Sequence, residues 1–188
     1  MIIGNFIKGI ELKYKNWYFS GICFNSAKCK KNNIFFAIEG TKIDGNKFIN
    51  NAIQKGAKTI ISKKKFEGIK KNILFIKSSN VRKSLSEFAY AIYKDKPKNI
   101  IAVTGTNGKS SVADFYFQIL RLNKKKVASI GTLGVKTQNY IQKVSNTTID
   151  PIALSKILNK LKKEKINDVI LEASSHGLKQ NRLDGLKF

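Results

Sequence analysis

Apolar and polar positions along this chain fall into two successive series of strand-length and helix-length runs. In the first series, NIFFAIEG at residues 33–40 reads as a strand, KFINNAIQKGA at 47–57 as a helix ending near Gly56, and KTIIS at 58–62 and NILFIK at 72–77 as further strands. Ser79 or Asn80 is placed to cap the next helix, in which Leu85, Phe88, Ala89 and Ile92 recur at helical spacing and predict one buried face. The polar stretch KDKPKN at 94–99, broken by Pro97, then predicts a domain boundary, with residues 1–96 on one side and 97–188 on the other.

The second series opens with NIIAVTG, a short apolar run that enters a glycine-containing loop. The helix beyond it carries Val112, Phe115, Tyr116, Ile119 and Leu120 on one face. KKVASIGTLGV supplies another strand, and Asp150 with Pro151 starts a helix whose Leu154, Ile157, Leu158 and Leu161 share a side. NDVILEASS is a strand running into a polar turn, and LKF at the end is placed to begin one more strand, so the sheet as read is unfinished. Strands alternating with helices imply α/β architecture: a small N-terminal α/β domain followed by a partial, mostly parallel α/β domain of P-loop type. Ligands are expected at the carboxyl ends of its strands.

Composition changes this picture little. The 188 residues, 42% of them hydrophobic, suffice for one ordinary domain or two small ones. No run of 18 apolar residues occurs and the opening MIIGNFIKGIELKYK fits no signal peptide, so neither a membrane span nor secretion is expected and the cytoplasm is the default compartment. Cys23 and Cys29 match no common zinc or dithiol spacing and are expected as reduced thiols. The formal charge of +24 raises nucleic acid as a partner, but of 36 basic residues only Arg82, Arg121 and Arg182 are arginine, and lysines are spread along the whole chain. Base and phosphate recognition favours arginine and interleaved aromatics, so no dedicated nucleic-acid partner is expected.

The chemistry concentrates at VTGTNGKSS, residues 103–111. A standard phosphate loop begins with glycine, whereas Val103 holds that place here and the glycines are Gly105 and Gly108. The physics is retained: Gly105, Thr106, Asn107 and Gly108 offer backbone amides, and the helix from Ser110 and Ser111 turns its positive end to an anion. Lys109 is suited to the outer phosphates of a nucleotide, and the Ser110 hydroxyl to the shell of Mg²⁺. Glu172 ends the apolar run VILE, so its carboxylate emerges at the same sheet edge, where a hard cation needs oxygen. His176, the single histidine, is read chiefly as a hydrogen-bonded structural residue.

VTGTNGKSS, then NTTIDP at 146–151, then LEASSHGLKQNRLDGL at 171–186, in this order and spacing, resemble the Mur ligase family. FNSAKCKKNNIFFAIEGTKIDGNKFINNAIQKGAKTIIS resembles that family's uridine-binding N-terminal domain, so the likeness covers nearly the whole chain. It implies ATP-driven amide formation in peptidoglycan precursor synthesis. The motifs are most like those of the branch that adds a diamino acid, meso-diaminopimelate or L-lysine, to UDP-N-acetylmuramoyl-L-alanyl-D-glutamate through an acyl phosphate.

Carried over residue by residue, the resemblance implies that Lys109 and Glu172 serve catalysis, and that Gly105, Thr106, Asn107, Gly108, Lys109, Ser110 and Ser111 hold ATP. Ser110 and Glu172 would hold Mg²⁺. Phe24, Ser26, Thr41, Lys42 and Ile43 would hold the uridine nucleotide, and Asn146, Thr147, Thr148, Ser174, Gln180 and Arg182 the muramoyl-peptide. The sequence departs from the family at Asn25 and Ala27, which flank Ser26 where aspartate and arginine are common, and at Ser110, where threonine is commoner. The family's third domain, its carbamoylated lysine and a downstream metal-binding histidine have no counterpart in these residues. The expectation is an amino-terminal portion that is inactive alone and relies on a separate or missing C-terminal portion. A sibling ligase such as MurF or a folylpolyglutamate synthetase, and a non-catalytic nucleotide-binding remnant, remain open.

Overall fold

The computed structural model describes the whole chain apart from Lys8, Thr41, Lys42, Lys65 and Ser145. The chain divides into two compact units, Met1–Phe88 and Ala89–Phe188. No helix among the described residues is long and apolar enough to cross a membrane.

The first unit holds strands β1 (Gly21–Cys23), β2 (Asn33–Phe36), β3 (Thr59–Ser62), β4 (Gly68–Lys70) and β5 (Ile73–Lys77), with helix α1 (Ile49–Gln54) and the greater part of α2 (Val81–Ile92). Among the described residues they form one sheet in the order β1-β2-β3-β5-β4, parallel except for β4. Strand alternation sends neighbouring side chains to opposite faces. Phe35 and Ile60 therefore join Ala52 and Ile49 of α1 in one cluster, while Phe36 meets Phe88 of α2, ring centroids 5.4 Å apart, on the other. Asn80 caps α2 by accepting from Lys83 N at 3.0 Å. The stretch at 47–57 is a 3₁₀ turn, Gly45–Phe48, that passes into α1. The expectation of reduced cysteines is corrected here: Cys23 and Cys29 are disulfide-linked with Cα atoms 5.8 Å apart. The 3₁₀ turn Ser26–Lys28 folds the chain back after β1, and both sulfurs are drawn into the α1 cluster.

The second unit holds β6 (Asn99–Val103), α3 (Lys109–Leu122), β7 (Val127–Gly131), β8 (Gly134–Lys136), β9 (Ile141–Gln142), α4 (Pro151–Lys163), β10 (Asp168–Glu172) and α5 (Ser175–Lys179). The described sheet runs β6-β10-β7-β8-β9, with β6, β10 and β7 parallel and the last two strands antiparallel. KKVASIGTLGV is thus a hairpin, β7 and β8, and the polar turn expected after β10 is the short helix α5. The final LKF forms no strand; Leu186 instead closes the core. That core lies between the sheet and α4, where Leu154, Leu158 and Leu161 meet Ile100, Val169 and Leu171. Asp150 caps α4 through Ala153 N at 3.0 Å, with Pro151 in its first turn. Tyr90 belongs to the same cluster and its hydroxyl donates to Arg182 O at 2.9 Å, so the last turn of α2 falls in the second unit, ahead of the 94–99 stretch. Burial pushes the Tyr90 phenol far up, and Asp150 and Asp184 add to that.

The helix α3 departs from its periodicity. Ala113 and Phe117 face the sheet, whereas Val112, Phe115 and Ile119 of the shared apolar face are exposed and Tyr116 and Leu120 are half-buried. Apolar spacing marks a face that avoids water without specifying a cover within these residues.

Leu158→Ala is expected to destabilise the protein by about 2–5 kcal/mol, while Lys156→Ala on the exposed side of α4 stays within about 0.5 kcal/mol. Urea unfolding followed by far-UV circular dichroism reads the difference.

Candidate active site

The loop at 104–108 leaves the carboxyl end of β6 and enters α3. Gly105 (φ 152°) and Gly108 (φ 79°) both lie in the region that side chains disfavour. A Cβ at Gly108 would meet nothing within 4 Å, and one at Gly105 only the Asn107 carbonyl at 3.5 Å. The space beside these backbones is open to a ligand. The first helical bond of α3 runs from Val112 N to Gly108 O at 2.9 Å, so the amides at 109–111 lack intrahelical acceptors, and an anion here meets them together with the positive end of a 14-residue helix. Lys109 Nζ donates to Gly105 O at 2.7 Å and to Thr106 O at 3.2 Å, which holds the ammonium over the loop.

Glu172 stands at the carboxyl end of β10, between the ends of β6 and β7, and is 2% exposed. A buried carboxylate needs donors, and three reach it. Oε2 accepts from Ser110 Oγ at 2.9 Å and Thr132 Oγ1 at 3.0 Å, and Oε1 accepts from Thr132 N at 3.1 Å. Both hydroxyl protons are thereby spent on the carboxylate, so Thr147 Oγ1, 3.1 Å from Thr132 Oγ1, is the donor in that pair. Gly131 makes room for this arrangement: a Cβ there would lie 2.1 Å from Glu172 Oε1.

The residues fit a magnesium-nucleotide. Adjacent ligands of an octahedral ion at 2.0–2.1 Å lie about 2.9 Å apart, and Ser110 Oγ and Glu172 Oε2 are 2.9 Å apart. No group of three or more His, Cys, Asp or Glu suited to a metal occurs among the described residues.

A second network adjoins the first. Thr148 Oγ1 donates to Glu172 O at 3.2 Å and accepts from Ser174 N at 2.9 Å and Ser174 Oγ at 3.0 Å. Ser174 Oγ also caps α5 by accepting from Gly177 N at 3.1 Å, and a Cβ at Gly177 would lie 2.5 Å from Thr148 Cβ. Arg182 Nη1 donates to Thr148 O, and its Nε and Nη2 donate to Gln180 Oε1 at 3.1 and 2.8 Å. Gln180 Nε2 donates to His176 Nε2 at 2.7 Å, which places the ring proton on Nδ1. Of its five N–H groups Arg182 thus commits three and keeps two for a ligand.

The second unit therefore brings together Gly105 to Ser111, Thr147, Thr148, Glu172, Ser174, Gln180 and Arg182 around the carboxyl ends of β6 and β10, with Asn146 beside Thr147 in the chain. Sequence reasoning missed Gly131 and Thr132, which it read as the middle of the KKVASIGTLGV strand, and Gly177, for which the sequence carried no signal. In the first unit Ser26 is buried while Phe24 and Ile43 are exposed; Thr41 and Lys42 lie outside the described residues. A further cleft there, about 190 Å³, is lined by Glu39, Lys63, Ser79, Asn80, Val81 and Arg82.

Residues 103–188 match the Mur ligase middle domain, and residues 18–102 match the Mur ligase family, catalytic domain. UDP-N-acetylmuramoyl-L-alanyl-D-glutamate–2,6-diaminopimelate ligase of Rickettsia prowazekii is 41% identical over 178 residues, covering 93% of this chain and 37% of that protein. The same ligase of Rickettsia typhi is 40% identical over 178 residues, covering 93% of this chain and 36% of that protein. A solved structure of a ligase of that name superposes with a TM-score of 0.81 at 27% identity, over 98% of this chain and 38% of the other. The chain spans little more than a third of the length of the curated relatives it matches.

Gly131→Ala is expected to cost about 1–3 kcal/mol by forcing a methyl into the Glu172 carboxylate. Combining it with Glu172→Ala should give less than the sum of the two single losses, by about 1 kcal/mol, because the clash disappears with the carboxylate. Chemical denaturation of the four proteins measures the coupling.

Proposed function

The chain belongs to the Mur ligase family, and on that premise we propose that it forms the ATP- and substrate-binding portion of a ligase that adds a diamino acid to UDP-N-acetylmuramoyl-L-alanyl-D-glutamate in the cytoplasm. The observation that carries this reading is the convergence of Glu172, Ser110 and the 104–108 loop at one sheet edge, beside the Thr148, Ser174 and Arg182 network.

The reaction joins two anions. A substrate carboxylate attacks the γ-phosphorus of ATP, ADP leaves, and an amine then displaces phosphate from the acyl phosphate. Two like charges about 4 Å apart repel by roughly 4 kcal/mol at an effective dielectric near 20, so the protein's task is to hold them together and neutralise them. In this reading the amides of 105–111 and Lys109 hold the phosphates, Lys109 exchanging the carbonyls of Gly105 and Thr106 for phosphate oxygens. Ser110 and Glu172 would hold Mg²⁺, which screens phosphate charge. Thr132 keeps the Glu172 carboxylate oriented through two hydrogen bonds. Arg182, fixed by Thr148 O and Gln180, presents its two remaining N–H groups to a carboxylate or phosphate, and Asn146, Thr147 and Ser174 are assigned to the muramoyl-peptide. Phe24, Ser26, Thr41, Lys42 and Ile43 are assigned to the uridine end.

Calorimetric titration tests this reading. Mg·ATP is expected to bind the chain, and Lys109→Ala to weaken that binding at least tenfold without lowering thermal stability. UDP-N-acetylmuramoyl-L-alanyl-D-glutamate is expected to bind where folate does not. Binding of folate alone, or Mg·ATP affinity indifferent to Lys109, contradicts the proposal.

A further inference from the structure

Arg182 is held by a side chain that itself needs holding. A guanidinium carries only donors, so the Gln180 atom that meets Arg182 Nε at 3.1 Å and Nη2 at 2.8 Å is the amide oxygen. The amide nitrogen of Gln180 therefore faces the other way, onto His176 Nε2 at 2.7 Å. An amide nitrogen only donates, so this ring nitrogen accepts and bears no proton. Through Gln180, Arg182 thus selects one state of the imidazole: neutral, with its proton on Nδ1.

The short helix α5 supplies the geometry. His176 and Gln180 stand four residues apart, on one face, and Gln180 caps the end of the helix. Arg182 N then donates to Gly177 O at 3.1 Å, which brings the arginine back beside that end. Its carbonyl accepts from the Tyr90 hydroxyl at 2.9 Å and its Nη1 donates to Thr148 O. Among the described residues, the Nε and Nη2 side of the fork rests on Gln180 alone. No carboxylate forms an ion pair with His176 among the described residues. Those of the neighbouring segments are engaged elsewhere: Glu172 with Ser110 and Thr132, Asp150 with Ala153 N, and Asp184 with Asn181 Nδ2. The cations nearest in the chain are Lys179 and Arg182 itself.

We propose that His176 is a positioning residue for the peptide substrate: as a neutral acceptor it fixes the Gln180 amide, and through it the guanidinium that receives a carboxylate or phosphate. This rests on the ligase reading, which assigns Arg182 to the muramoyl-peptide. Locking a binding side chain through a supporting hydrogen bond is what makes its fork geometry selective. Protonation converts His176 Nε2 from acceptor to donor. The Gln180 amide then either turns over, which sets its NH₂ group against two Arg182 donors, or loses its own anchor. In both cases one side of the Arg182 fork is released. Histidine changes charge between about pH 5 and pH 8, so binding of the peptide substrate weakens as pH falls through that range. The ATP end is held by other bonds, from Ser110, Thr132 and Glu172, and does not follow.

The test compares the native protein with His176→Gln, which keeps an acceptor oxygen near the place of Nε2 without a titrating proton, and with His176→Leu, which removes the acceptor. UDP-N-acetylmuramoyl-L-alanyl-D-glutamate is titrated calorimetrically at about pH 8 and about pH 5.5. Native binding is expected to weaken at least tenfold at the lower pH, and the glutamine variant to lose less than threefold. The leucine variant should bind at least tenfold more weakly than native at the higher pH, with Mg·ATP affinity and melting temperature unchanged, since His176 is exposed. Native-like binding by the leucine variant, or an equal acid loss in the glutamine variant, overturns the proposal. Nitrogen NMR of the ligand-free proteins reads the network without substrate, and the single histidine makes the ring signal unambiguous. The Nδ1–H tautomer is expected at about pH 8, with solvent exchange of Arg182 Nε–H at least tenfold faster in the leucine variant than in the other two. An Nε2–H tautomer, or equal exchange in all three, overturns the positioning role. Native protein that passes the NMR test yet binds no dipeptide sinks the ligase reading instead.

Discussion

The buried carboxylate of Glu172 is the constraint around which the second unit is built. Desolvating a carboxylate costs several kcal/mol, and hydrogen bonds to a charged group return about 1.5–3 kcal/mol each. Three such bonds tie Glu172 to the first turn of α3 and to the residue after β7, so satisfying one charge locks the ends of β6, β10 and β7 and the start of α3 into a single geometry. That geometry leaves two oxygens, Ser110 Oγ and Glu172 Oε2, at the spacing of neighbouring magnesium ligands beside open backbone amides. The same arrangement extends outward through Thr147 and Thr148, so the phosphate end and the peptide end of the proposed site share one hydrogen-bond network.

Much of this was legible in the chain. GKSS after an apolar run announces a strand, loop and helix, because few other patterns place glycines at positive φ before a lysine and a hydroxyl. Asp150–Pro151 announces a capped helix for equally local reasons, and Glu172 could be placed at the sheet edge by the length of VILE. Pairwise features across strands were not legible. Gly131 and Thr132 look like the middle of a strand, and their roles exist only because β7 lies beside β10. Gly177 is needed because Thr148 packs against it, a contact between residues far apart in sequence. The disulfide was hidden for a similar reason: composition speaks to compartment, whereas the turn after β1 decides which sulfurs meet.

The helix α3 illustrates the limit of periodicity more sharply. Its two kinds of apolar position do different work: Ala113 and Phe117 bury against the sheet, while Val112, Phe115 and Ile119 form a second face with nothing over it among the described residues. Periodicity picks out the second set and passes over the first.

The central claim is that Glu172 and Ser110 form the magnesium end of an ATP site. Titrating a non-hydrolysable ATP analogue with and without Mg²⁺ into the native protein and into Glu172→Gln tests it most directly. The account predicts that Mg²⁺ strengthens binding to the native protein at least tenfold and that this gain disappears in the variant, whose magnesium-free affinity is unchanged or higher. An equal magnesium gain in both proteins would contradict it.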